Sequence, residues 1–269
     1  MRYETIGDVK IPKIGYGTWT IGGRREADPA SDAASLQALH TALELGYTHF
    51  DTAEGYASGH CEELVGQAVR EGAVSREKLF ITTKVSPDHL DYEDVLRSCE
   101  NSLRRLKMEY VDLYLIHWPR VGMNLAETFR ALNLLVREGR VRNLGVSNFN
   151  LKQLKKSVEL CETHLLTNQV SYSVPDRKYE KNGVLAYCQE KDILLTAYSP
   201  VKRRNISGSK KLQEIARMRG VTKFQVALAW LAMKPRVITI PMSFNPQHMA
   251  ENLSAADLDL TDAEMELLD

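Results

Sequence analysis

The runs THFD (48–51), LFITTK (79–84) and VDLYLIH (111–117) fix the reading of this chain. Each opens with β-branched, aliphatic or aromatic residues and closes on a polar or ionisable one. Between them lie longer stretches whose apolar residues recur at three- and four-residue spacing. That change of period, from strand to helix and back, marks alternating β and α units. The same pattern extends outward. Ile14–Gly17 precedes it, and Val141–Val146, Leu166–Val170, Ile193–Tyr198 and Val237–Pro241 follow, for eight candidate strands.

The intervening stretches carry helix signals. Leu36, Leu39 and Leu43 share one face and Gly46 follows as a C-cap. Cys61, Leu64, Val65, Ala68 and Val69 share another, ending at Gly72. Asp91 can cap a helix bearing Val95, Leu96, Cys99, Leu103 and Leu106, and Asn150 one bearing Leu151, Leu154 and Val158. Leu125, Phe129, Leu132 and Leu135 precede Gly139, and further helical patterns cover 183–191, 209–219 and 222–233. Helix-sized connections imply parallel pairing. Eight units within 269 residues suit an α/β fold of the closed (β/α)8 TIM-barrel type, which needs about 250. Gly7-Asp8 between Tyr3–Ile6 and Val9–Ile11 reads as an N-terminal β-hairpin, and nothing divides 1–269 into two domains.

Hydrophobic residues make up 43% and charged residues 26%, the balance of a globular chain with a substantial core. Net charge is zero, so the composition favours neither nucleic acid nor a membrane surface as partner. Cys61, Cys99, Cys161 and Cys188 are scattered without a CxxC pair, which reads as reduced thiols. With no apolar leader and no membrane-length apolar run, the expected location is cytoplasmic.

In such a barrel the C-terminal strand ends share one face, where active sites sit. Those positions here hold Thr18, Trp19, Asp51, Tyr56, Lys84, His117, Trp118, Ser147, Asn148, Gln169, Tyr198 and Ser243. Four of them combine chemically. Reduction of a carbonyl by hydride leaves charge on oxygen, so a proton donor must lie beside it. Tyr56 is a neutral acid, and an ammonium at Lys84, kept charged by Asp51, would lower its pKa. His117 can orient or polarise the carbonyl oxygen. Taken singly, each residue has a bland explanation: a rim tyrosine, an ion pair, a structural histidine. As a set on three successive strand ends they favour catalysis. His117 is the only histidine at the C-terminal end of a candidate strand, so no metal-ligand set converges there.

The chain resembles the aldo-keto reductase superfamily through FDTAEGY (50–56) followed by Glu62-Glu63 and Gly66, ITTKV (81–85), VDLYLIHWP (111–119) and GVSNF (145–149). The likeness continues in NQVSYS (168–173), TAYSP (196–200), QVALAWL (225–231), IPMS (240–243) and Glu251-Asn252. The resemblance identifies Asp51, Tyr56, Lys84 and His117 with that family's catalytic tetrad. It implies that Ser147, Asn148 and Gln169 bind the nicotinamide carboxamide and that Tyr198 stacks on its ring. Ser199, Pro200, Val201 and Lys202 would follow the pyrophosphate. Ser243, Glu251 and Asn252 would lie by the adenosine, and Thr18, Trp19, Asp51 and Ile240 complete the cofactor set. Trp19 and Trp118 would wall the substrate pocket beside Tyr56 and His117. No Rossmann-type GxGxxG is present.

Two departures qualify the resemblance. Met242 and His248 stand where the family usually has the Lys and Arg that grip the 2′-phosphate of NADP. Methionine cannot pair with phosphate, and histidine is mostly neutral at pH 7. Weak selection for NADP(H) follows, with NAD(H) favoured; the basic run Lys202-Arg203-Arg204 can compensate in part. Only 17 residues follow Asn252, so an open pocket and broad acceptance are expected. The residues are most similar to small archaeal and bacterial alcohol dehydrogenases of this superfamily. The leading expectation is an NAD(P)-dependent aldo-keto reductase or alcohol dehydrogenase acting on aldehydes, ketones and alcohols. The alternative is a nicotinamide-binding redox sensor on the same fold. The residues do not distinguish oligomeric states.

Overall fold

The computed structural model describes residues 1–201, 206 and 208–269. It opens with an antiparallel hairpin, β1 (Tyr3–Ile6) and β2 (Val9–Pro12). Eight parallel strands follow: β3 (Tyr16–Gly17), β4 (His49–Asp51), β5 (Phe80–Val85), β6 (Val111–Ile116), β7 (Val141–Ser147), β8 (Leu165–Ser171), β9 (Leu194–Tyr198) and β10 (Val237–Thr239). Each strand from β3 to β10 pairs with its sequence neighbour. A parallel bridge between Ile14 and Thr239 joins the two ends, with Gly15 N donating to Thr239 O at 2.8 Å. The sheet thereby closes into the expected (β/α)8 barrel. The close approach at that seam explains Gly17, where a Cβ would stand 2.7 Å from Ile240 O.

Strand β6 is buried along its whole length, and β5 and β8 at all but one end residue, because helices cover the outside and side chains fill the inside. In β6, Leu113 and Leu115 point into the barrel, while Val111, Tyr114 and Ile116 join the outer core against the helices. The inner cluster also holds Leu166, Leu194 and Ile238 with Ile6 and Ile11 of the hairpin. The hairpin is thus a plug in the N-terminal end of the barrel, which leaves the other end for the site.

The outer ring comprises α1 (Asp32–Leu45), α2 (His60–Glu71), α3 (Tyr92–Leu106), α4 (Leu125–Arg137), α5 (Leu151–Leu160), the short α6 (Lys178–Lys181), α7 (Val184–Glu190), α8 (Lys210–Arg219) and α9 (Lys223–Met233). Then come α10 (Pro246–Ser254) and α11 (Asp262–Leu268). Gly46 ends α1 in the left-handed region, and Asn150 caps α5 in a capping box with Gln153. Two signals work differently from their reading. Gly72 ends α2 in extended backbone, and Asp91 precedes α3 without a side-chain cap, its carboxylate taken by Arg120 at 2.8 Å. Gly66 lies where α2 touches α3: a Cβ there would stand 2.2 Å from Leu106 O. Cys61, Cys99 and Cys188 are buried free thiols, and Cys161 is half-buried just past α5. Among the described residues no helix is long and apolar enough to cross a membrane.

Candidate active site

Asp51 ends β4 and Lys84 lies one residue before the end of the neighbouring β5. Both side chains are buried, and the Lys84 Nζ donates to Asp51 Oδ1 at 2.5 Å and to Thr52 O at 2.6 Å. The third donation goes to the Tyr56 hydroxyl at 3.3 Å. Burial alone would pull the Lys84 ammonium down, but Asp51 and Tyr56 outweigh it and raise its pKa. Asp51 spends its second oxygen on Gln169, whose Nε2 donates at 2.7 Å from β8, four strands on from β4.

Tyr56 stands on a bent stalk. Ala57, Ser58 and Gly59 all have positive φ, the conformation L-residues avoid. The turn is held by the loop after β3: Ala57 N donates to Arg24 O at 2.8 Å and Ser58 Oγ to Arg25 O at 3.0 Å. From the same loop Trp19 meets the Tyr56 ring edge-on, centroids 5.0 Å apart, and His117 flanks Tyr56 at 5.6 Å. Burial raises the Tyr56 pKa by more than Lys84 lowers it. This reverses the direction read from the sequence, which weighed the ammonium without desolvation. Burial, helped by Lys84, pushes the His117 imidazole down to about 3, so it is neutral at physiological pH. Neither His117 ring nitrogen bonds to a described residue.

These groups open onto a cleft of about 930 Å³. It gathers Thr18, Trp19, Asp51, Tyr56, His117, Trp118, Ser147, Asn148, Gln169, Tyr198, Ser199, Pro200, Val201, Ile240 and Met242, with Lys84 beneath. Thr18 Oγ1 donates to Asp51 O at 2.9 Å. Ser147 Oγ donates to Gln169 O at 2.8 Å, and Asn148 Nδ2 to Ser147 Oγ at 2.9 Å. The Tyr198 hydroxyl donates to Asn148 Oδ1 at 2.9 Å. Trp19 and Trp118, also in the lining, are 46% and 47% exposed.

Four residues expected near the adenosine lie outside this cleft. Ser243 O accepts from Tyr16, His248 and Glu251 occupy exposed or half-exposed positions on α10, and Asn252 is buried there. Lys202, with Arg203 and Arg204, lies outside the described residues. Sequence reading missed Thr20, Arg25, Gly55, Ser86, Pro87, Asp88 and Pro241 in the lining. Ser86, Pro87 and Asp88 simply continue the chain past Lys84 and were within reach of the strand-end rule. Arg25 was not, because its place depends on how the loop after β3 folds back.

The sequence model of the Aldo/keto reductase family matches residues 13–269. A methylglyoxal reductase of Escherichia coli, YeaE, is 34% identical, over 98% of this chain and 92% of its own length. The thermostable aldo-keto reductase Tm1743, solved with the inhibitor epalrestat, is 44% identical with a TM-score of 0.97, covering 100% of this chain and 99% of the other. An aldo/keto reductase of Klebsiella pneumoniae, solved with NADP and acetate, is 35% identical with a TM-score of 0.87, covering 97% and 92%. The chain therefore belongs to the aldo/keto reductase family and is a nicotinamide-dependent carbonyl oxidoreductase.

Proposed function

We propose that Tyr56 is the proton donor of this reductase, that Lys84 and Asp51 stabilise its phenolate, and that His117 holds the carbonyl oxygen. The observation that carries this is the Tyr56 hydroxyl 3.3 Å from an ammonium itself bound at 2.5 Å by Asp51, at the floor of the cleft. Bound nicotinamide supplies a hydride to the carbonyl carbon. As that C–H bond forms, the carbonyl π electrons move to oxygen, which takes the Tyr56 proton. The phenolate left behind faces Lys84, so a negative charge appears where a positive one is already fixed. His117, neutral and unpaired, offers a ring N–H to the same oxygen without competing as an acid. Alcohol oxidation runs these steps backwards and starts from phenolate.

The far end of the cleft suits a nicotinamide. Tyr198 offers a flat ring, Ser147 and Asn148 offer polar tips, and Gln169 keeps its amide oxygen while its nitrogen holds Asp51. Ser199, at φ +53°, starts a turn with Pro200 and Val201 that suits a pyrophosphate. We read the chain as one barrel domain acting on small aldehydes and dicarbonyls, with the two exposed tryptophans as substrate walls. Tyr56→Phe should lower kcat by about 10²- to 10⁴-fold while leaving nicotinamide affinity nearly unchanged. Near-normal turnover in that variant rules Tyr56 out as the acid.

The cofactor's 2′-phosphate is a separate question. The Klebsiella relative holds NADP, which supports NADP(H) here, and a preference for NAD(H) rests on Met242 and His248 alone. Met242 lines the cleft and contributes only a thioether, which receives the Thr20 hydroxyl at 3.8 Å. We therefore expect both cofactors to bind, with Met242→Lys tightening NADPH by about tenfold over NADH through one charge-assisted contact. Fluorescence titration with each cofactor checks this. Strong NADPH selectivity in the unaltered protein would defeat the argument from Met242.

A further inference from the structure

Behind the wall that carries Lys84 lies a carboxylate the chemistry above does not use. Glu62, in the first turn of α2, is completely buried. Its two oxygens serve different elements. Oε1 accepts from the Thr83 hydroxyl at 2.5 Å, and Thr83 immediately precedes Lys84 on β5. Successive strand residues point to opposite faces, so Thr83 meets the helices while Lys84 faces the barrel. Oε2 accepts from Arg105 Nε at 2.6 Å, in the last turn of α3. Arg105 in turn lies against Gly59, which ends the turn that begins at Tyr56. A Cβ at Gly59 would stand 2.7 Å from Arg105 Nε and 2.8 Å from its Cδ. Its φ of +93° favours glycine as well, so both the backbone and the guanidinium exclude a side chain there.

A buried ion pair contributes little net stability, because desolvation offsets the attraction. What this pair holds in place is more telling. The α3 backbone beside Arg105 cannot draw back, since Gly66 of α2 lets the Leu106 carbonyl sit where a Cβ would be only 2.2 Å away. Arg105 Nη2 also donates to Ser102 Oγ at 3.3 Å, which fixes the plane of the guanidinium. That plane is a rigid plate beneath the Tyr56 turn. The two members of the 3.3 Å contact between Tyr56 and Lys84 thus trace back to one carboxylate, the phenol through Gly59 and Arg105, the ammonium through Thr83.

We propose that Glu62 and Arg105 are positioning residues for proton transfer, setting the distance between the Tyr56 hydroxyl and the Lys84 ammonium from outside the barrel wall. The proposal rests on Tyr56 being the acid and adds the groups that aim it. Single-turnover reduction of methylglyoxal by the full chain saturated with NADPH separates aim from folding. The rate constant reports hydride transfer, and the amplitude reports the fraction of competent protein. Arg105→Ala alone would strand a buried carboxylate, so it is combined with Glu62→Gln, which removes that charge too. The double variant should lower the rate constant about 10- to 100-fold, the scale of a displacement of about 1 Å, with NADPH affinity within about twofold. Thr83→Val leaves the ion pair whole and should lower the rate constant about three- to tenfold, and Thr83→Ser should restore it. A rate constant within about twofold of the unaltered protein in either Glu62→Gln/Arg105→Ala or Thr83→Val, whatever the amplitude, overturns the positioning role. So does a loss of NADPH affinity as large as the loss of rate. Tyr56→Phe in the same assay tests the acid separately: hydride transfer at a near-normal rate there overturns the assignment of Tyr56 and the positioning role together.

Discussion

Tyr56 and His117 sit side by side with pKa values moved in opposite directions by the same cause. Burial favours the neutral form of each, which is the protonated phenol in one and the unprotonated imidazole in the other. The pH dependence follows from those signs. With His117 titrating at about 3 and Tyr56 above its ordinary value of 10.0, neither changes state between pH 5 and 9. Carbonyl reduction should therefore be flat in kcat across that window, falling only as Tyr56 deprotonates at the alkaline end. Alcohol oxidation needs the phenolate and should climb with pH across the same range. A stopped-flow profile of hydride transfer in both directions checks this, and a reduction limb with an apparent pKa near 6.5 would mean that His117 is not held neutral. Asp51, Lys84 and His117 could be read because each closes a strand-like run, and Tyr56 because it follows in the loop after one of them. Their net electrostatics could not. Residue order reports that an ammonium is near a phenol, but the depth of burial that decides the outcome belongs to the folded state.

At the scale of elements, the helices and strands were legible wherever period and caps agreed, as at Asn150 and at Gly46. Reading was weaker at the barrel seam. Ile14–Gly17 looks like one strand, yet only Tyr16–Gly17 forms regular ladder, with Ile14 making a lone bridge to Thr239. Register at a closing seam depends on both ends of the chain, so no local pattern reports it. Gly66 shows the converse, a short-range signature with a long-range reason. Its absent side chain lets the Leu106 carbonyl at the end of α3 approach α2. Gly66→Ala would gain helix propensity of up to about 1 kcal/mol, but overpacking costs about 1–3 kcal/mol and should win. We expect a lower denaturation midpoint with an unchanged m-value. A stabilised variant would show that α2 and α3 can separate freely.

For the whole molecule, the barrel interior has two tiers above its hydrophobic plug. His49 lies two residues before Asp51 and is fully buried, its Nε2 3.1 Å from Thr82 Oγ1 and its Nδ1 without a partner among the described residues. Burial holds it at about 4, and His117 at about 3, against an ordinary value of 6.5. Above 6.5 both are neutral in folded and unfolded chains and add no pH dependence. As pH falls below 6.5 the unfolded chain takes up protons that the folded one refuses, so stability declines by about 1.4 kcal/mol per pH unit for each histidine. His60 works in the other direction, because Glu63 and Asp32 overcome its burial and raise its pKa, but it is one group against two. Thermal unfolding from pH 7 to 4 should thus show a falling Tm, and His49→Gln should flatten part of that slope.

The positive-φ turn at residues 57–59 has a mechanical consequence. Among the described residues it is tethered to the loop after β3 through the Arg24 and Arg25 carbonyls and the Glu26 carboxylate, and that loop also carries the tryptophan leaning on the phenol ring. Loop and phenol are therefore coupled like a handle and a latch. Anything that pulled this segment outward, even from solvent, would shift Tyr56, the proposed proton donor, without entering the mouth of the barrel.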